Sequence, residues 1–240
     1  VYKRQLIIGH GVPCTVIGHS ERGLDRCRNA VAQNWDDLIA EGLATEANKQ
    51  AALALLTVTN DPAALKDHTF VFEAVTEGAA EKQSAYAAIA QYAAQDAIIA
   101  SCSSSMDAEI LADLTPCPER LLIAHPFQPV HMLPLVEVVR HRRTLEAVVG
   151  RTLTLLEQLH RQVVVLNRSV PGLLVNRFAQ ALFRESIYLI EQGGTTAADI
   201  DRAVKYAVGM RYASIGLLEY FDAVGFQLER TLAQHVYPDL

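Results

Sequence analysis

The sequence predicts an α/β protein in which a mostly parallel sheet is followed by an all-helical region. Short runs of β-branched and other apolar residues alternate with longer segments that have helical spacing, which is the pattern of βαβ units. After Asn167 the short runs stop, Pro171-Gly172 interrupts the chain, and only helical spacing remains. We therefore expect one domain over residues 1–168 and a helical one over residues 169–240.

Seven short segments have the composition of buried strands. They are Cys14–Gly18, Leu56–Thr59, Thr69–Glu73, Ala97–Ser101, Leu121–His125, Pro134–Val139 and Gln162–Leu166. Each segment is mostly apolar, as expected for strands of a sheet that helices cover on both faces.

Helical spacing occupies most of the chain between and after these strands. Arg22–Leu55 is long enough for two helices, and Gly42 divides it, so we expect a projecting helical hairpin. Gly193-Gly194 and Thr196 supply a helix stop and the cap of the following helix. The other helical segments are Ala79–Gln95, Thr144–His160, Leu173–Gln192, Ala197–Val208 and the chain from Gly216 onward.

Charge and composition disfavour several classes of partner. The formal charge is −6 and the isoelectric point is near 5.7, so we expect no basic surface for nucleic acid or an anionic membrane. No apolar run reaches the ~18 to 20 residues that a transmembrane helix needs. The four cysteines have no Cys-x-x-Cys spacing, which argues against a zinc site or a disulfide framework. A cytoplasmic protein without a metal centre is the simplest interpretation.

Polar side chains follow two of the predicted strands, at the point where each strand ends. Ser101–Ser105 closes one strand and His125 closes the other. Because ligands of an open parallel sheet bind beyond the carboxyl ends of its strands, both groups should face one cleft. Glu137 lies within the apolar run Leu133–Val139, where a carboxylate is costly to bury without a partner. A carboxylate strengthens a neighbouring imidazole as a base, so His125 and Glu137 are a candidate catalytic pair, although each alone also fits a structural role.

Five segments are informative through their order and spacing. They are FVFEAVTEGAAEK (70–82), ASCSSS (100–105), IAHPFQP (123–129), PLVEVV (134–139) and PGLLVNR (171–177). Together they resemble the 3-hydroxyacyl-CoA dehydrogenase family, including its lambda-crystallin, L-gulonate dehydrogenase and carnitine dehydrogenase relatives. The resemblance implies a Rossmann-like dinucleotide-binding domain over residues 1–168 that lacks its first strand. It also implies a helical substrate and dimerisation domain over residues 169–240 that is incomplete at its C-terminus.

The resemblance also implies roles for individual residues. His125 accepts the hydroxyl proton while hydride leaves the same carbon for the nicotinamide of NAD or NADP, and Glu137 orients His125. Ser104 and Asn176 hold the substrate oxygen, for which a turn-stabilising hydroxyl and a helix cap are the structural alternatives. The residues implied to lie near the cofactor are Glu77, Lys82 and Cys102, the last of which replaces an asparagine of the family.

Two departures from the family concern the cofactor. The fingerprint G-x-G-x-x-G is absent, because Gly9-His10-Gly11 leads directly into a strand. If the chain is complete as given, cofactor binding should be weak or absent. Gly18 stands where an acidic residue should hold the ribose 2′-hydroxyl, and Ser20 and Arg22 nearby could accept a 2′-phosphate, so NADP stays open beside NAD.

The substrate has several candidates. The leading hypothesis is an L-3-hydroxyacyl-CoA, in fatty acid metabolism. The alternative is a free hydroxy acid such as L-gulonate or carnitine, because Arg22–Leu55 has few lysines for coenzyme phosphates and Arg211 could bind a carboxylate bidentately. A surface salt bridge is the structural alternative for Arg211. A crystallin-like structural protein and an inactive fragment are the non-catalytic hypotheses. The resemblance also implies a homodimer.

Overall fold

A computed structural model describes residues 2–130 and 133–239 of the chain, with side chains from residue 4 onward. These residues form two compact units, of which the first ends at Leu174 and the second begins at Val175. The division at 174/175 falls six residues after the predicted boundary at 168/169. Within the described residues, none of the helices is long and apolar enough to cross a membrane.

All seven predicted strands are present in the first unit, and their ends lie within one residue of the expected bounds. They are β1 (Cys14–Ile17), β2 (Leu56–Thr59), β3 (Phe70–Glu73), β4 (Ile98–Ser101), β5 (Leu121–Pro126), β6 (Leu135–Val139) and β7 (Gln162–Leu166). β1 and β2 form a two-stranded sheet, and β3 to β7 form a five-stranded sheet in chain order. All neighbouring strands are parallel except β5 and β6. The expected α/β class with a mostly parallel sheet is confirmed.

Helices account for most of the remaining chain. The first unit contains α1 (Tyr2–Gly9), α2 (Glu21–Ala40), α3 (Glu46–Leu53), α4 (Ala79–Tyr92), α5 (Ala108–Asp113) and α6 (Glu146–Gln158). The second unit contains α7 (Val175–Glu191), α8 (Ala197–Ala203), α9 (Gly209–Ser214), α10 (Leu217–Val224) and α11 (Phe226–Val236). A π-helical turn, Val204–Val208, joins α8 to α9. The predicted helical C-terminal region is confirmed.

The segment predicted as a helical hairpin consists of α2 and α3, with Gly42 at φ +71° between them. Ser20 caps α2 by accepting a hydrogen bond from the Gly23 N–H, and Thr45 forms a capping box with Asn48. The hairpin packs on α1 through a small apolar core. The buried side chains of this core are those of Ile8, Val31, Trp35 and Ala52. Helices of eight and six residues, such as α1 and α5, are too short for their apolar spacing to stand out in the sequence.

The five-stranded sheet is apolar on both faces because helices cover both of them. On one face, Ile99 and Ile123 pack with residues of α4 and α5. On the other face, Ile98 and Leu122 pack with residues of α6. Neighbouring residues of one strand therefore enter different cores, which explains why continuous apolar runs mark these strands. Glu73, Ser101 and His125 lie at or near the carboxyl ends of their strands, whereas Glu137 lies in the middle of β6.

A buried histidine links the end of β6 to the chain that precedes β5. The Nε2 of His141 lies 3.0 Å from the carbonyl oxygen of Pro118 and 3.1 Å from that of Leu121. The N–H of Arg143 donates to its Nδ1 at 3.2 Å. These contacts fix the neutral tautomer with hydrogen on Nε2, since Nδ1 must accept. Burial, as the largest cause, lowers the pKa of His141 below its ordinary value.

This histidine predicts a loss of stability on acidification. The unfolded chain binds the proton more tightly than the folded protein, since an unperturbed histidine has a pKa of about 6.5. The contribution of His141 to the free energy of unfolding should therefore be complete above about pH 6.5. It should be lost as the pH falls from there through the lowered folded-state pKa, by at most ~1.4 kcal/mol per pH unit. Urea denaturation of the wild type and of His141→Gln between about pH 5 and 8 measures this difference. Parallel curves for the two proteins would contradict it.

Candidate active site

The carboxyl ends of β3, β4 and β5 lie at one edge of the sheet because these strands are parallel. The register places Glu73 beside Ser101, and Ser101 beside Ile123. His125 follows Ile123 by two residues on β5. Residues 102–106, which follow β4, are called the serine loop below. The structure therefore brings the serine loop and His125 to the same edge, as the sequence predicts.

His125 and Glu137 are directly opposite each other on the antiparallel strands β5 and β6. The His125 Nδ1 lies 3.2 Å from Glu137 Oε2. The Glu137 side chain is 0% exposed, and its Oε1 accepts a hydrogen bond from the Leu174 N–H at 2.8 Å. The His125 ring packs edge-on against Phe127, with 4.9 Å between the ring centroids. Because Nδ1 faces the carboxylate, Nε2 is the ring nitrogen that remains for a substrate proton.

The serine loop is held by a carboxylate that follows β3. Glu77 Oε1 accepts the Ser104 N–H, and Oε2 accepts the Ser103 hydroxyl, both at 2.9 Å. The Ser103 Oγ in turn accepts the Met106 N–H. Partial burial raises the pKa of Glu77, but the hydrogen bonds from Ser104 and Ser103 and the charge of Lys82 outweigh it, so the pKa is lowered overall. Glu77 therefore stays ionised and fixes the backbone at Ser104, whose side chain is exposed.

A second carboxylate, Glu73 at the end of β3, is buried beneath this loop. It accepts hydrogen bonds from Lys82 Nζ at 3.0 and 3.1 Å, from the Tyr86 hydroxyl at 2.9 Å and from the Ser101 hydroxyl at 2.7 Å. Lys82 Nζ also lies 3.3 Å from Glu77 Oε2. Burial, together with the charge of Glu73 and opposed by Ser101, raises the pKa of Tyr86, which therefore remains a hydrogen-bond donor. Glu73 thus joins β3, α4 and β4 below the serine loop.

Comparison with known families identifies the family to which a protein with this candidate site belongs. The model of the 3-hydroxyacyl-CoA dehydrogenase NAD binding domain matches residues 4–169, and the model of the C-terminal domain matches residues 172–239. The chain belongs to the 3-hydroxyacyl-CoA dehydrogenase family. It is therefore an NAD-dependent dehydrogenase, an oxidoreductase, and the resemblance stated from the sequence is confirmed.

Individual relatives of this family member have different named activities. The chain is 35% identical over 224 residues to an L-carnitine dehydrogenase of Staphylococcus epidermidis, covering 92% of this chain and 68% of that protein. It is 28% identical to the structure of (S)-3-hydroxybutyryl-CoA dehydrogenase PaaH1 from Ralstonia eutropha, with a TM-score of 0.81 over 86% of this chain and 73% of the other. It is 27% identical to the structure of an NAD⁺-dependent dehydrogenase of a pyridine carboxylic acid, with a TM-score of 0.87 over 100% and 76% of the two chains.

The polar groups at the carboxyl edge of this dehydrogenase are chemically compatible with NAD. When bound, NAD supplies the hydride acceptor. Glu77 presents an ionised carboxylate that is 37% exposed and can accept a ribose hydroxyl. Cys102, at the start of the serine loop, donates its N–H to the Glu73 carbonyl oxygen at 2.8 Å. Lys82, by contrast, is 1% exposed, and its ammonium contacts the carboxylates of Glu73 and Glu77. The predicted place of Lys82 near the cofactor stays a prediction, and in this structure its ammonium contacts Glu77, the proposed ribose acceptor.

Gly18, at the predicted position for an acidic residue, lies close to the Leu24 side chain. A Cβ placed on Gly18 would lie 2.7 Å from Leu24 Cδ2, so an acidic side chain does not fit there unless Leu24 moves. Ser20 caps α2, which is the structural alternative to a cofactor contact, and Arg22 is exposed. Gly9 ends α1 and His10-Gly11 form the turn that leads to β1, so this segment is not a pyrophosphate loop. The family match supports NAD of the two nicotinamide cofactors expected.

Two predicted substrate residues belong to the second unit. Asn176 is half-buried in the first turn of α7. Arg211, on α9, stacks over the ring of Tyr220 with its guanidinium carbon 4.4 Å from the ring centroid. Tyr212 and Phe221 contact the same ring edge-on. Stacking orients a guanidinium and leaves its N–H edge available for a planar carboxylate.

Glu73 and Tyr86 are site-associated residues that the sequence analysis missed. Glu73 ends an apolar strand in the same way that Glu137 interrupts one, so the same argument about a costly buried carboxylate could have found it. Tyr86 had no such signal, because one tyrosine on a helix reads as core. Among the residues that the structure describes, no group of three or more His, Cys, Asp or Glu side chains could hold a metal ion.

Proposed function

We propose that this protein oxidises the secondary alcohol of a small L-3-hydroxy acid of the carnitine type, with NAD as hydride acceptor and His125 as the base. The observation that carries the proposal is the contact between His125 Nδ1 and the buried Glu137 carboxylate at 3.2 Å. This contact leaves Nε2 as the ring nitrogen that does not contact Glu137. His125 lies at the carboxyl edge of the sheet, where the serine loop follows β4. A base positioned near a bound alcohol is what removal of its hydroxyl proton requires.

The reaction divides between His125 and the cofactor. The alcohol O–H bond breaks as His125 Nε2 takes the proton, and the carbon loses its hydride as the C=O bond forms. Glu137 holds the proton on Nδ1 and stabilises the imidazolium that results. The Leu174 N–H fixes the other oxygen of Glu137, which keeps the carboxylate aimed at the ring. Ser104 is proposed to hold the substrate oxygen and so to align its carbon for hydride transfer. Asn176, in the second unit, keeps its predicted role in substrate binding.

A free acid is a better substrate than a coenzyme A thioester for two reasons. The curated relatives that match include several L-carnitine dehydrogenases, of which that of Staphylococcus epidermidis is 35% identical. The hairpin Glu21–Leu53 contains six acidic and four basic residues, and two of the basic ones pair with acidic residues of the hairpin itself. Few cations remain for the coenzyme's phosphates. These observations reverse the order of the two substrates in the sequence analysis.

An acyl-CoA remains the second candidate because a solved structure with the same fold is named (S)-3-hydroxybutyryl-CoA dehydrogenase. Specificity constants for L-carnitine, L-gulonate and L-3-hydroxybutyryl-CoA, each with NAD and NADP, separate the two candidates. We expect the highest kcat/KM for a free acid with NAD, and D-carnitine is the stereochemical control. A higher kcat/KM for the thioester would make the acyl-CoA the substrate in place of the free acid. The proposed role of His125 would be unaffected.

Arg211 is proposed to bind the carboxylate of the free acid. Replacing Arg211 by methionine should lower kcat/KM for that acid on the order of 10- to 100-fold, as expected for losing a charge-assisted hydrogen-bonded pair. Arg211→Lys should restore little, because an ammonium cannot bind a carboxylate bidentately. Arg202→Met, on the exposed Arg202–Asp199 pair of α8, is the matched control. Equal specificity constants for Arg211→Met and the wild type would show that Arg211 does not bind the substrate carboxylate.

The second unit is proposed to associate with a second copy of the chain. In the described residues 175–239, no hydrophobic side chain is buried, and α7 exposes Phe178, Leu182 and Phe183. Such an apolar surface is typical of an interface. Replacing Phe183 by aspartate should shift the protein from dimer to monomer, since it would place a charge within that surface. Analytical ultracentrifugation measures the shift, with Lys205→Asp as an exposed control in the same unit. A wild-type protein that is monomeric at high concentration would contradict the proposed self-association.

A further inference from the structure

We propose that a closed ring of hydrogen bonds, buried except at Glu77, runs through Glu73 and Lys82 and sets the position of the serine loop. This makes Glu73, Lys82 and Ser103 positioning residues for the reaction. The contacts that form the ring are observed in the structure. Its effect on turnover rests on the function proposed above.

The ring closes through side chains of three separate segments. Lys82 contacts Glu73, Glu73 accepts the Ser101 hydroxyl, and the Ser101 Oγ accepts the Ser103 N–H at 3.3 Å. The Ser103 hydroxyl then donates to Glu77 Oε2, which lies 3.3 Å from Lys82 Nζ. The circuit therefore returns to its starting residue. Because it is closed, displacement of one member must strain the others.

The members of the ring sit in the core, except at one point. Glu73, Lys82, Ser101 and Ser103 are all buried. Glu77 is partly exposed, and its second oxygen holds the Ser104 N–H. The ring therefore transmits the positions of β3, β4 and α4 to the one exposed serine that the proposed mechanism uses. A charged ring can be buried in this way because the Lys82 ammonium has three carboxylate contacts and Glu73 has donors on both oxygens.

The proposal can be tested by changing Lys82 and Glu73 and measuring the effect at the Ser104 amide. The Lys82 ammonium is linked to Ser104 through Glu77, and the Glu73 carboxylate is linked to it through Ser101, Ser103 and Glu77. A purely local role for the Lys82–Glu73 pair would leave the Ser104 amide unchanged when the pair is removed. A ring predicts that the Ser104 amide loosens. The double variant Lys82→Met with Glu73→Gln is suitable because it removes both charges and leaves no unpaired buried ion.

The experiment measures amide hydrogen exchange at Ser104 and steady-state kinetics on the same proteins. In the double variant, and in Ser103→Ala, we expect exchange at Ser104 to be at least about tenfold faster. We expect kcat to fall by up to about 10²-fold, the effect of misplacing a reacting group by roughly 1 Å. The KM for NAD should change much less than kcat in Ser103→Ala. Ser84→Ala, an exposed serine on α4, is the matched control.

The outcomes separate this inference from the proposed function. Unchanged exchange at Ser104 in both variants would overturn the ring. Faster exchange with unchanged kcat would overturn the positioning role in the reaction. Faster exchange in the variants of a protein whose wild type oxidises no tested alcohol would support the ring and count against the proposed function. If the double variant does not fold, Ser103→Ala decides alone, because it leaves the Lys82–Glu73 pair intact.

Discussion

Replacing His125 by asparagine is expected to lower kcat for alcohol oxidation by about 10²- to 10⁴-fold, the range that loss of a general base produces. Asparagine retains a polar group of similar size near Glu137, but it cannot take a proton at neutral pH. The binding of NAD should change little, because His125 lies on β5 while the proposed ribose acceptor, Glu77, follows β3. Turnover under saturating substrate and NAD affinity by fluorescence titration test the two statements separately.

A matched control for this variant is available in the same unit. His160 is exposed and has φ +52°, a conformation that asparagine tolerates well. His160→Asn should therefore retain both fold and turnover. If His125→Asn kept a kcat within about threefold of the wild type, well short of the loss expected for a base, His125 would be removed from the mechanism.

Replacing Glu137 by glutamine is expected to lower kcat by about 10²-fold or more while the protein stays folded. The amide is neutral and cannot stabilise the imidazolium, although it can still accept the Leu174 N–H. Glu137→Ala should lose the same turnover and, in addition, roughly 1 kcal/mol of stability, because it leaves that partly buried donor without its partner. Comparing the two variants separates catalysis from folding.

The measurements for Glu137 are kcat and the free energy of unfolding in urea. Glu146→Gln is the control, since Glu146 is an exposed carboxylate that pairs with Arg140 at the protein surface. It should leave both quantities nearly unchanged. A Glu137→Gln variant with wild-type turnover would show that the carboxylate only supports the fold, and the catalytic pair would reduce to His125 alone.

The strands could be predicted from sequence because helices cover the sheet on both faces. Residues such as Ile98 and Ile99 enter different cores, so the whole strand is apolar and stands out from its surroundings. The same contrast revealed Glu137, a carboxylate inside an apolar run. The predicted contact of Glu137 with His125 is present in the structure, because a strand pairing places the two residues opposite each other. Short helices such as α5 carry too little periodicity to be recognised.

The ring beneath the serine loop could not be predicted from sequence. Its contacts join Glu73 on a strand to Lys82 on a helix and Ser101 on another strand, and no local spacing encodes such a meeting. The resemblance placed Lys82 at the cofactor, but only the structure shows that two carboxylates enclose its ammonium. Likewise, the absence of an acidic residue at position 18 is visible in the sequence, but the proximity of Leu24, which would have to move to admit a larger side chain, is not.

Chemical rescue of His125→Ala by imidazole tests the base most directly. We expect the variant to be nearly inactive and its turnover to increase with the concentration of neutral imidazole, since the truncated side chain leaves space where His125 was and the added base takes the alcohol proton. Imidazole should not change the turnover of the wild type. Wild-type turnover by His125→Ala without imidazole would contradict the assignment of His125 as the base.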